Sequence, residues 1–173
     1  CGCCSTRAFA DHFGSFYLLY RSAKDGGRDM YLLHSKDPAS PFDGTMLQGW
    51  KIPQCPMSTM AFAEGPKEVT AAWETGNQIY FAKMKPGTKE YGKIQGIPGS
   101  GPRKHPSLAY SSEGELLIAW AEGTGWQKGG TLFWQGFNAD GTPSQEQGRV
   151  DRGVPVWGLP SVIATKEGFI LFR

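Results

Sequence analysis

The stretch Ser58-Thr-Met-Ala-Phe-Ala63, followed after a Gly-Pro turn by Glu68-Val-Thr-Ala-Ala-Trp-Glu74, sets the reading of the whole chain. Two short apolar runs joined by a turn make a hairpin of half-buried strands. The same phrase occurs earlier as Ser5-Thr-Arg-Ala-Phe-Ala10 with Gly14-Ser-Phe-Tyr-Leu-Leu-Tyr-Arg21. It returns as Ser107-Leu-Ala-Tyr110 with Gly114-Glu-Leu-Leu-Ile-Ala-Trp120, and again as Ser161-Val-Ile-Ala164 with Gly168-Phe-Ile-Leu-Phe-Arg173. The aromatics Tyr20, Trp73, Trp120 and Phe172 near the end of each copy are spaced by 53, 47 and 52 residues.

A repeat of this length, built from short strands and glycine turns, predicts an all-β chain of the β-propeller class, with four antiparallel strands per blade. The first blade, residues 1–52, has strands expected at 5–10, 15–21, 29–34 and 47–52. The second, 53–97, has them at 57–63, 69–74, 78–84 and 91–97. In the third, 98–150, they fall at 106–110, 115–121, 131–137 and 147–150, with Asn138-Ala-Asp-Gly-Thr-Pro143 as a turn between the last two. The fourth, 151–173, holds two strands, 161–165 and 168–173. About three and a half blades leave unpaired edges. The expectation is a portion of a larger, six-bladed ring, its edges covered by missing N-terminal strands or by a second chain.

Composition limits the partners. The 173 residues suffice for one core, and a formal charge of +2 with both signs interspersed gives no nucleic-acid footprint. The 24 glycines and 12 prolines cluster at repeat boundaries, as turns require. No apolar run reaches the roughly 18 residues of a membrane span.

Ser35-x-Asp37-x-Ala39-x-x-Phe42 resembles a degenerate Asp box, the Ser-x-Asp-x-Gly-x-Thr-Trp hairpin of sialidases and related propellers, and lies between the third and fourth strands of its blade. Ala39 stands in place of the motif's glycine and Pro41 in place of its threonine. With Cys-x-Cys-Cys4 before one blade and Cys55-Pro before the next, the chain resembles bacterial sialidase-like proteins with BNR repeats. That resemblance implies an exported protein, extracellular or periplasmic, and a carbohydrate ligand. The family's early Arg-Ile-Pro motif is absent, and its Tyr–Glu pair has no match here. Fold therefore carries over and activity does not follow from it.

In such a fold the starts of the first strands and the ends of the second strands share one face. This gathers Cys3-Cys4, Cys55–Met57, Lys104–Pro106 and Val156–Gly158 with Arg21–Asp25, Glu74–Gly76, Glu122–Trp126 and Arg173. Glu74 and Glu122 are the candidate acid and base of a glycosidase. Arg7, Arg21 and Arg103 are candidates to clamp a sugar carboxylate or sulfate, with His105 beside them. Trp126 and Trp157 could stack on a sugar ring. Against each stands an ordinary structural role, as a loop-end charge or a packing residue; Trp73 and Trp120 read as core. A binding or scaffold propeller without catalysis is the alternative.

The cysteines allow two readings. A disulfide from Cys3 or Cys4 to Cys55 would join adjacent blades, close a loop of roughly 50 residues, and typically stabilise by about 2–4 kcal/mol. Alternatively Cys3, Cys4 and Cys55 with His105 could hold zinc or copper, although the spacing is not that of paired Cys-x-x-Cys sites. No other cofactor is expected.

Overall fold

The computed structural model describes residues 4–173. Within them the chain forms fourteen strands in four antiparallel sheets, each a meander of consecutive strands. Sheet 1 holds β1 (Arg7–Ala10), β2 (Phe16–Arg21), β3 (Met30–Ser35) and β4 (Asp43–Gln48). Sheet 2 holds β5 (Ala61–Glu64), β6 (Val69–Thr75), β7 (Gln78–Met84) and β8 (Gln95–Gly96). Sheet 3 holds β9 (Arg103–Tyr110), β10 (Leu116–Glu122), β11 (Gly130–Phe137) and β12 (Pro143–Val154), and sheet 4 has β13 (Ser161–Thr165) and β14 (Gly168–Phe172). The first strands adjoin in series, β1 beside β5, β5 beside β9 and β9 beside β13. None of these sheets closes on itself.

The core is the set of boundaries between sheets. Side chains alternate across a strand, so a strand between two sheets must be apolar on both faces. β10 shows this directly. Leu116, Ile118 and Trp120 pack with Ile79 and Phe81 of sheet 2, whereas Leu117, Ala119 and Ala121 pack with Val162 of sheet 4. β6 does the same, with Val69, Ala71 and Trp73 against Tyr17 and Leu19 of sheet 1. These runs made the repeat legible because they are buried on both faces.

Strand limits depart from the sequence expectation where burial is incomplete. The fourth strand of sheet 1 is Asp43–Gln48, not 47–52. It starts where the Asp37 turn releases the chain: Asp37 accepts the amides of Ala39 and Ser40, both at 2.8 Å, and Ser35 Oγ donates to the carbonyls of Asp37 and Ser40. The Asp-box-like hairpin is thus closed by its own side chains despite Ala39 and Pro41. The strand expected at 91–97 shrinks to Gln95–Gly96, with Tyr91 making one isolated bridge to Met84. The one expected at 147–150 extends to Pro143–Val154, past the expected boundary at residue 150; it is mostly exposed and lacks an apolar signature.

The fourth copy lies one residue out of the expected register. Val162 pairs with Leu171 and both face sheet 3, as Leu108 paired with Ile118 faces sheet 2. The position matching Trp120 is therefore Arg173. Phe172 sits on the opposite face, 50 % exposed. A shift of one residue moves a strand side chain to the other face.

Candidate functional site

The strand openings do come together. At the boundary of sheets 1 and 2, Cys4 Sγ lies 3.3 Å from Cys55 Sγ. At the next boundary, His105 donates its amide to Ser58 Oγ (3.2 Å), its Nδ1 accepts the Thr59 amide (3.3 Å), and Lys104 Nζ donates to the Pro56 carbonyl. At the last, the indoles of Trp126 and Trp157 meet edge to face, centroids 4.9 Å apart at 86°. Met57, Lys104, His105, Trp126, Lys128 and Trp157 line one cleft of about 290 Å³, with Leu159 at its rim.

Backbone conformation shapes this cleft. Met57 (φ 49°), His105 (φ 58°) and Trp157 (φ 65°) are all in the left-handed region, Met57 and Trp157 in the segments leading to β5 and β13 and His105 within β9. Gln127, between Trp126 and Lys128, is there as well, at φ 51°. Side chains with a Cβ adopt this region at a cost, about 1–3 kcal/mol each in sparsely populated conformations. At His105 the cause is a β-bulge: Ala119 pairs with Ser107 but Ala121 pairs with Lys104, so one extra residue is accommodated. The bulge turns the imidazole into the cleft.

Trp126 and Trp157 are 71 % and 64 % exposed. The lining has two lysines and no carboxylate, so the cleft is electropositive. Burial and the charge of Lys104 lower the His105 pKa from 6.5 to about 4. A neutral ring agrees with Nδ1 acting as acceptor for the Thr59 amide, which leaves the proton on Nε2.

The carboxylates and arginines are engaged elsewhere. Glu74 is fully buried, its Oε1 accepting the Asn77 amide at 3.2 Å. Burial raises its pKa, with Arg21 and Lys104 acting in the opposite direction. Arg21, also buried, donates to the backbone carbonyls of Arg28 and Glu74 and lies over the Trp50 ring at 5.5 Å. Glu122 Oε1 accepts from Arg103 Nε (2.8 Å) and Trp120 Nε1 (2.9 Å). Arg103 directs its remaining donors to the Ile97 and Pro98 carbonyls and to Gln78 Oε1, with its guanidinium over Trp120 at 5.0 Å. These two arginines tie loops to strands. Arg7 is exposed on β1, opposite Leu19, and is not part of the cleft lining.

The separation of Cys4 and Cys55 exceeds the roughly 2.05 Å of an S–S bond, so the two are in contact without being bonded to each other. Cys1 and Cys3, and the parts of the disulfide and metal expectations that fall on them, lie outside the described residues. Among the described residues no three His, Cys, Asp or Glu side chains converge as a ligand set for a metal. Sequence reasoning picked out Trp126, Trp157 and His105 at the strand openings. It passed over Lys104 and Lys128 as ligand groups, although Lys104 adjoins His105 and Lys128 lies two residues from Trp126.

No family model matches the chain, and no curated protein matches it.

Proposed function

We propose that this chain is part of a sialidase-like β-propeller that binds carbohydrate at the Trp126–Trp157 cleft without hydrolysing it. The propeller reading is supported by four meander sheets stacked through their first strands. The binding reading rests on one observation, the perpendicular pair of exposed indoles above a cleft lined by Lys104, Lys128 and His105. Large exposed aromatics gathered on a rigid frame mark binding surfaces. A sugar offers a C–H face that packs on an indole, hydroxyls for the imidazole, and a carboxylate or sulfate for the lysines. The glycosidase alternative is less well supported, because Glu74 has no exposure and Glu122 is held by two donors. An exported protein, extracellular or periplasmic, suits this reading.

The test is a calorimetric titration with an oligogalacturonate, a sulfated heparin oligosaccharide, sialyllactose and a neutral cello-oligosaccharide, with reducing-sugar release followed in parallel. At least one acidic sugar should bind, and Trp126→Ala with Trp157→Ala should weaken it at least tenfold while leaving the melting temperature unchanged. Binding that survives both substitutions, or no binding to any of the four, would refute the site. Sugar release that Glu122→Gln abolishes would restore the hydrolase.

A further inference from the structure

The cleft under the two indoles continues past Lys128. Lys128 and Pro155 line it and also line a second cleft of about 470 Å³. The walls of that second cleft are the end of β10, the start of β11, the end of β12 and the links at those ends. They belong to sheet 3, all four strands of which are present, and to the segment 155–156 that leaves it. Ligand clefts usually measure roughly 300–1,000 Å³. The indole cleft alone, at about 290 Å³, is at the small end of that range, and the two adjoining clefts together lie well inside it.

Arg152 stands on the wall of the second cleft, exposed and in the left-handed region at φ 55°. Leu132 pairs with Val150 and Gly130 with Val154, so β12 advances four residues while β11 advances two. The extra residues turn the chain so sharply that a Cβ on Gly153 would lie 2.6 Å from the Val150 carbonyl oxygen. Bulges re-aim side chains beside functional sites, and the one at His105 does the same on the other side of Lys128. Glycine would take the conformation of Arg152 at no steric cost. A guanidinium kept there at a cost points to a use for it. The charge around it is unbalanced. Among the described residues, the one carboxylate lining either cleft is Glu122, which already accepts from Arg103 and Trp120. Asp151, beside Arg152 in sequence, is paired with Arg149 at 3.5 Å.

We infer that the ligand of this groove is an anionic oligosaccharide of at least two sugar units, one packed on the indoles and the next held through its carboxylate or sulfate by Lys128 and Arg152. A guanidinium takes either group with two parallel hydrogen bonds, and the Lys128 ammonium acts as a point charge where the two clefts meet. The inference rests on the carbohydrate reading and adds to it the length and charge of the ligand.

The test is titration of the indole fluorescence with galacturonic acid, its dimer and its trimer, with heparin di- and tetrasaccharides, and with glucose and cellobiose as the neutral series. In one acidic series, lengthening should tighten binding at least tenfold, and which series responds tells a carboxylate from a sulfate. Arg152→Gln should remove that gain and leave the shortest acidic sugar bound as before, whereas Arg152→Lys should keep most of the gain. Arg152 is exposed, so the variants should fold, which circular dichroism checks. Affinity that does not rise with length, a gain that survives Arg152→Gln, or an equal gain in the neutral series would overturn the inference and leave binding at the indoles standing. Binding to none of these sugars would overturn the carbohydrate reading and this inference with it.

Discussion

His105 should make stability depend on pH between about 6.5 and about 4. Its folded pKa is lowered from 6.5 to about 4 by burial and by Lys104. A lowered pKa means that the unfolded chain binds the proton first as pH falls. Stability is then fully present above about 6.5 and is lost progressively down to about 4. Between pH 7.5 and 4.5 this amounts to about 2.5 kcal/mol. Geometry points the same way, because a proton on Nδ1 would meet the Thr59 N–H instead of accepting from it. The perturbation is His105→Asn, chosen because asparagine tolerates the left-handed conformation at φ 58°. The assay is urea unfolding of both chains at the two pH values. Carboxylates titrate alike in both, so the difference between the two pH dependences isolates the imidazole. The variant should lose about 2–3 kcal/mol less than the unsubstituted chain on acidification. Equal losses would show that the imidazole is not held neutral.

Two further outcomes follow from the frame. Asp11 accepts the amides of Phe13 (3.0 Å), Ser15 (2.9 Å) and Gly87 (2.6 Å) and the hydroxyl of Tyr17 (3.0 Å), tying sheet 1 to the β7–β8 turn of sheet 2. Asp11→Ala should cost about 3 kcal/mol in urea unfolding at pH 7; burial opposes its charge but these donors lower its pKa, so the cost should shrink as pH falls below about 4. At Gly129 an added Cβ would lie 2.4 Å from the Val154 carbonyl oxygen, whereas at Gly125 its nearest neighbour is Lys128 Cβ at 4.0 Å. Gly129→Ala should therefore destabilise by about 1–3 kcal/mol and Gly125→Ala by much less, as thermal unfolding would show.

What could be read from the sequence was what both faces of a strand had to satisfy. Val69–Trp73 and Leu116–Ala121 are buried on either side, so their composition alone identified them and gave the period. Pro143–Val154 lies at an edge, exposed along most of its length, and carries no such pattern. The Phe172 register failed for a related reason. In Phe169-Ile-Leu-Phe172 both faces are apolar, so composition does not distinguish them, and only the pairing of Val162 with Leu171 does. At the site, an arginine at a strand end reads as a free guanidinium. The packing of Arg21 over Trp50 and the bonds of Arg103 to the Ile97 and Pro98 carbonyls depend on loops whose course the sequence does not fix.

The division of labour at the strand openings follows from the same geometry. At the first strands of three sheets the chain carries a left-handed residue, Met57 ahead of β5, His105 at the bulge in β9 and Trp157 ahead of β13. None of the three is glycine, which would adopt the conformation at no steric cost. Glycine would also remove the thioether, the imidazole and the indole that line the cleft. Arg21 is tied to the Arg28 and Glu74 carbonyls, and Arg103 to the Glu122 carboxylate and the Ile97 and Pro98 carbonyls. Charge is thus used to fix the loops, and the exposed surface is left to Trp126, Trp157 and the lysines. That distribution leaves no carboxylate in the cleft lining to act as acid or base on a bound ligand.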